Sequence, residues 1–218
     1  MQILKRKNEY DIIDNVEIVN DIPVGNYNLC FGAFGRVYLN KIQDIIIPEK
    51  VYSNDTQFIE HVLHSWKEGE GNVGVGLSGG KGLGKSFTGN MLAKGANAPV
   101  IRINEPVRKD SGILGVLNSI ECDYVLFIDE FEKMFNVSNN IQDTSGNMTQ
   151  QDFLTFLDGG SVRKNKIMFI ITSNNSSSIN EFLKNRPSRL KYFKEYSKLH
   201  NSIIKEIDEE KYEDIFKN

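Results

Sequence analysis

Residues 79–86 read Gly79-Gly80-Lys81-Gly82-Leu83-Gly84-Lys85-Ser86. Glycines let consecutive backbone N–H groups point inward at one anion. A lysine and a hydroxyl at the end of such a loop suit phosphate chemistry. Lys85 is expected to reach the β- and γ-phosphates of a nucleotide, and Ser86 Oγ to hold Mg²⁺. The pattern is a Walker A loop, G-x-x-x-x-G-K-S. The expected nucleotide contacts are therefore Gly79, Gly80, Lys81, Gly82, Leu83, Gly84, Lys85, Ser86 and the adjoining Phe87.

A second constellation follows downstream. Tyr124-Val125-Leu126-Phe127-Ile128-Asp129-Glu130 is an apolar run closed by two carboxylates, the Walker B pattern. Such a strand delivers Asp129 to its C-terminal end, to hold Mg²⁺ through water. Glu130 is then placed to orient and deprotonate the attacking water. The buried run 167–172 ends in Ser173-Asn174-Asn175. Asn174 is expected to hold that water against the γ-phosphate, the alternative being a turn-forming Asn. Asn185-Arg186-Pro187-Ser188-Arg189 sets two arginines three residues apart. Arg186 and Arg189 suit charge stabilisation in a phosphoryl transition state, in trans from a neighbouring subunit. On spacing alone, a solvated basic turn is an equal alternative.

These side chains need a scaffold. Residues 73–78 form a short apolar strand before the loop, and 87–94 a helix after it, whose positive N-terminal end faces the phosphates. Strands are expected at 100–103, 124–128 and 167–172, and helices at 113–120 and 151–157. Buried strands alternating with helices predict a parallel α/β sheet with helices on both faces. Phe58, Ile59, Val62, Leu63 and Trp66 recur at helical spacing, so 56–67 is an amphipathic helix after the capping residues Asn54-Asp55-Thr56. Its His61 and His64 lack metal-binding company and are expected to face solvent. Upstream, 16–19, 27–31, 36–39 and 44–47 are strand-like, a β-rich lead-in that either packs on the main domain or forms a small module. Residues 1–15 are polar and read as a loosely held arm. The polar stretch 136–150 reads as a long mobile loop.

The 218 residues carry a net charge of −3, with 39% hydrophobic and 25% charged residues. Those values fit a soluble globular chain and argue against a strongly basic nucleic-acid surface, while leaving a local basic patch open. No apolar run approaches membrane-spanning length. Cys30 and Cys122 form no CxxC pair, so free thiols and a cytoplasmic location are expected. The abundance of Asn, Ile and Lys suggests an AT-rich coding genome, bacterial or phage.

Taken in order, these motifs resemble the AAA+ ATPase family, a branch of the P-loop NTPases. GGKGLGKS resembles its Walker A loop and VLFIDE its Walker B strand. Phe156-Leu157-Asp158-Gly159 resembles its L-x-x-L-D-G segment, FIITSN its sensor-1 strand, and NRPSR its arginine-finger stretch. The resemblance spans about residues 50–196. It implies an ATP hydrolase with ATP and Mg²⁺ as cofactors. It also implies a P-loop three-layer sandwich with a five-stranded parallel sheet in the order 5-1-4-3-2, the fifth strand near 190–196. The subunits are expected to form a homo-oligomer, a hexameric ring, with ATP between them. Val51 and Tyr52 are expected to flank the adenine. The implied organisation is an N-terminal arm and β-rich extension (1–50), an ATPase core (51–196) and a C-terminal helix (197–218).

Two departures from the family pattern matter. About thirty residues follow Arg189, none of them Arg, so the lid that carries a sensor-2 arginine is expected to be missing, minimal or cut away. The region 105–112, where unfoldases of the family carry an aromatic pore loop, has no aromatic residue. Its Arg108 and Lys109 offer phosphate contacts, although a solvated loop is the plainer expectation. The leading expectation is a ring-forming ATPase that remodels a macromolecular partner, with the choice between protein and nucleic acid open. The alternatives are a DNA-replication factor of helicase-loader or clamp-loader type, and an ATP-gated assembly scaffold with slow turnover.

Overall fold

The computed structural model describes residues 2–6, 9–13, 17, 19–32, 36–51, 53, 55–135, 146–157, 165–174 and 190–197. Strands β1 (Gln2–Arg6) and β2 (Glu9–Ile13) pair antiparallel in a two-stranded ribbon, where the sequence suggested a loose arm. Strands β3 (Asn26–Phe31) and β4 (Val37–Ile42) follow. Then come α1 (Thr56–Glu68), β5 (Val73–Gly79), α2 (Lys85–Gly95), β6 (Val100–Ile103), α3 (Ile113–Asn118) and β7 (Tyr124–Ile128). The chain continues through α4 (Phe131–Met134), α5 (Gln150–Leu157), β8 (Ile167–Ser173) and β9 (Tyr192–Tyr196).

The main sheet has seven strands rather than the expected five, in the order β4-β3-β6-β7-β8-β5-β9. The run from β6 to β9 is parallel throughout. Strand β3 adds to it in parallel beside β6, and β4 closes that edge antiparallel. The β-rich lead-in thus extends the sheet through Asn26–Phe31 and Val37–Ile42. Residues 44–47, expected as a strand, form none.

Period-2 alternation sends neighbouring side chains to opposite faces, and here both faces are buried. Tyr124, Leu126 and Ile128 of β7 join Ile167, Phe169 and Ile171 of β8 in one core with Ile113, Leu117 and Phe153 from the helices α3 and α5. Val125 and Phe127 join Met168 and Ile170 in the other core, covered by Ile59, Val62 and Trp66 of α1 and Leu92 of α2. Three layers result. Helix α2 lies close to the sheet because Gly89 faces Phe127, where a Cβ would stand 2.7 Å from the ring.

The described end of the 136–150 loop is packed rather than mobile. Met148 is buried, its N–H donates to Val107 O at 2.6 Å, and Asn147 bridges to Arg108.

One polar cluster is buried at the other side of the sheet. Asp55 is only 6% exposed. Its carboxylate accepts from Thr88 Oγ1 at 2.6 Å and Tyr196 Oη at 2.5 Å, and pairs with the Lys194 ammonium. Burial raises the Asp55 carboxyl, but hydrogen bonds from Lys194, Thr88 and Tyr196 outweigh it and hold the group below its ordinary value. A depressed folded pKa means stability that is present above the unfolded value of about 3.9 and lost as pH falls through the folded one. Asp55→Asn should therefore melt below wild type at neutral pH, and the gap in Tm should narrow between about pH 5 and pH 2. A constant gap over that window would show that the carboxylate's charge contributes nothing.

Candidate functional site

The loop between β5 and α2 takes the shape that its glycines permit. Gly79, Gly82 and Gly84 have φ of 140°, 76° and 92°. Gly79 has a second constraint: a Cβ there would stand 2.1 Å from Tyr196 O on the paired strand β9. Lys85 begins α2, and its ammonium donates to Gly79 O and Gly80 O, both at 2.7 Å, and to Asn174 Oδ1 at 3.3 Å. Burial lowers the Lys85 pKa, against the opposing charges of Asp129, Glu132 and Glu130.

Strand β7 carries Asp129 to the C-terminal edge of the sheet, beside this loop. Ser86 Oγ donates to Asp129 Oδ1 at 2.9 Å and Oδ2 at 3.2 Å. A hydroxyl beside a carboxylate is a hard-oxygen donor set, the type that suits Mg²⁺. Glu130 turns the chain out of the strand at φ 52°, ψ 58°. Asn174 Nδ2 donates to Glu130 Oε1 at 2.6 Å, and the Lys133 ammonium pairs with Oε2. Those two contacts, Lys133 first, hold the Glu130 carboxyl below its usual range. The group is therefore ionised at neutral pH, as a general base must be.

One cleft of about 360 Å³ gathers most of these groups. Lys81, Gly82, Gly84, Lys85, Ser86 and Phe87 line it from the loop and α2, and Asp129, Glu130 and Asn174 line it from the strand ends. Gly79 and Gly80 stand behind the loop and present their carbonyls to Lys85. Leu83 packs over Gly80, 3.5 Å from the position of a Cβ there. Val51 is half-buried and is not among the lining residues. Tyr52, Arg186 and Arg189 lie outside the described residues. Arg108 pairs with Asp110 and Lys109 with Asp152, so both basic residues of the 105–112 region already face carboxylates.

Sequence reasoning missed three participants. Thr172 lines the cleft, donates to Asp129 and accepts from the Glu130 N–H at 2.9 Å. Its signal was readable: it continues the Met168–Ile170 face of β8 as the one polar residue, at the strand's catalytic end. Glu132 Oε1 accepts from the Asn174 N–H at 3.1 Å and so fixes where β8 ends. Lys133 stands three residues after Glu130, the spacing at which helical side chains meet.

No curated protein matches the chain. Among solved structures it is similar to a RuvB variant from Thermotoga maritima, with a TM-score of 0.51 and 19% identity over 72% of this chain and 50% of that one. It is also similar to a second such variant, with a TM-score of 0.50 and 19% identity over 65% of this chain and 44% of that one. The chain spans about half the length of these structures or less, and at this identity the likeness speaks for the fold alone. Residues 75–197 match the model of the "ATPase family associated with various cellular activities (AAA)". That match covers more than half of the chain, from the middle of β5 to just past β9, and so includes the cleft and every strand that lines it. The chain belongs to this AAA family.

Proposed function

We propose that the protein is a ring-forming Mg-ATP hydrolase that couples turnover to the remodelling of a macromolecular partner. The observation that carries this reading is the convergence of Lys85, Ser86, Asp129, Glu130 and Asn174 on one cleft. Lys85 and the loop amides bind the phosphates. Ser86 and Asp129 would hold Mg²⁺, which when bound neutralises charge on the β- and γ-phosphate oxygens. Asn174 positions the attacking water, and Glu130 takes its proton. Arg186 and Arg189 act on the γ-phosphate of a neighbouring subunit, in a homo-oligomer of hexameric type.

Hydrolysis per subunit across a protein concentration series tests the ring. The rate should rise with concentration. Arg186→Ala and Arg189→Ala should bind ATP as wild type does and lose turnover by about 10³-fold or more. Arginine variants that keep full activity would remove the in-trans assignment.

A second reading, an ATP-gated scaffold with slow turnover, draws on one observation. Both Glu130 carboxylate oxygens are engaged, by Lys133 and by Asn174, so the base is occupied until something displaces those partners. A helicase-loader or clamp-loader role would show as stimulation by single-stranded DNA with a steep salt dependence. The carboxylates opposite Arg108 and Lys109 offset the charge available there for such contacts.

A further inference from the structure

Arg102 is a largely buried cation outside the hydrolytic cleft. It stands on β6, on the side of the sheet that α2 covers. Its Nη2 donates to Asn90 Oδ1 on α2 at 2.6 Å, and its Nε donates to Asn26 Oδ1 on β3 at 2.8 Å. The guanidinium lies over the Phe127 ring of β7, 4.4 Å from its centre. Asn26 is buried in turn, and its Nδ2 donates to Gln43 O at 2.9 Å, just past β4. One side chain thus ties together α2, β7 and the β3–β4 edge.

Among the described residues this cation makes no ion pair, only bonds to neutral amides and the ring contact. Burial lowers its pKa, and the charge that opposes the shift is that of Asp129. An arginine stays charged all the same. A buried charge without a paired counter-ion is costly, and apolar packing often holds such layers at least as well. Stability alone therefore does not account for Arg102.

Its place beside the cleft does. Ser86 and Asn90 are one turn apart on α2, the spacing that puts two side chains on one face. Phe127 precedes Asp129 by two residues. Ser86 and Asp129 meet across the gap between α2 and the end of β7. Arg102 spans the same gap one turn further along α2, from Asn90 to Phe127. Gly89 against the Phe127 ring limits how closely the helix approaches. The Asn90 bond limits how far it swings away. Mg²⁺ tolerates little error, because it demands near-octahedral oxygens at about 2.1 Å. The spacing of Ser86 and Asp129 therefore decides how well both serve it.

We propose that Arg102 is a positioning residue for the metal. Held by Asn26 and bonded to Asn90, it sets the distance between Ser86 on α2 and Asp129 at the end of β7. The proposal rests on the reading of the cleft as a Mg-nucleotide site. It goes further by giving the added strand β3 a task there, since Asn26 anchors the guanidinium.

The test is the affinity for a non-hydrolysable ATP analogue, with Mg²⁺ and with EDTA, by calorimetry. The ratio of the two affinities is what the metal contributes. Arg102→Met keeps an unbranched stem for the Phe127 ring and removes the guanidinium. It should cut the ratio about tenfold and leave the metal-free affinity within about twofold. Arg102→Lys should lose about as much, because a compact ammonium lacks the planar fork that reaches two amides while lying on a ring. Asn90→Ala should shift the ratio the same way by less, and it carries the test alone if neither Arg102 variant folds. An equal loss with and without Mg²⁺ would overturn the proposal, since it would mean damage to the phosphate loop. An unchanged or raised ratio in the folded variants would overturn it too. So would an Arg102→Lys protein that behaves as wild type, which would leave charge rather than the bracket as the cause. A wild type that binds the analogue equally with and without Mg²⁺ would overturn the metal reading of the cleft itself, and this proposal with it.

Discussion

Glu130→Gln should bind ATP and fail to hydrolyse it, with turnover down by about 10² to 10⁴. The substitution keeps nearly every contact that shapes the site. A glutamine carbonyl can still accept from Asn174 Nδ2, now 2.6 Å from Glu130 Oε1. The Glu130 N–H to Thr172 Oγ1 bond belongs to the backbone and is untouched. Ser86 and Asp129, which would hold the metal, do not depend on the Glu130 side chain. Two things are lost: the charge that pairs with Lys133 and the capacity to take a proton from water. Phosphate release, set beside equilibrium binding of ATP, separates the two effects. If a ring forms, this variant should accumulate in the assembled, ATP-bound state. Loss of ATP binding along with turnover would mean that Glu130 holds the cleft together rather than serving as its base.

Lys85→Ala should weaken ATP by about a hundredfold or more, because it removes charge-assisted bonds to the β- and γ-phosphates. The ammonium has a second task that adds to the loss. It braces the loop by donating to Gly79 O and Gly80 O at 2.7 Å and reaches Asn174 Oδ1 on the far wall. Without it, three acceptors lose their donor and the loop loses its preset curvature. The variant should therefore bind tripolyphosphate as poorly as ATP. Calorimetry with both ligands checks this, and a Lys85→Ala protein that keeps wild-type affinity for either would remove the loop from the binding site.

The parts of the site that were legible in the sequence are those made by contiguous residues. The phosphate loop is eight residues in a row, and β5, β7 and β8 are continuous apolar runs because both of their faces are covered. The strand ends place Asp129 and Asn174 almost automatically, since a parallel sheet brings the C-terminal ends of its strands to one edge. What escaped is what depends on distant partners. Strand β3 pairs in parallel with β6 across the whole of α1, β5 and α2, and no local pattern announces such a partner. The β1–β2 ribbon is polar enough to pass for an arm, and only its pairing makes it a hairpin. Residues 44–47 have strand-like composition but no neighbour to pair with among the described residues. Asp55 reads as a helix cap, and its true partners lie on α2 and β9. Thr172 carried a signal that could have been used, a polar residue on an otherwise apolar face, and Lys133 carried another in its spacing from Glu130.

The central claim is that one cleft binds Mg-ATP and hydrolyses it with Glu130 as the base. Single-turnover phosphate release, with and without Mg²⁺, in wild type and in Glu130→Gln, tests it most directly. Wild type should release phosphate only when Mg²⁺ is present. Glu130→Gln should retain bound ATP and release phosphate at least about a hundredfold more slowly. Equal release from both proteins, or release that ignores Mg²⁺, would contradict the claim.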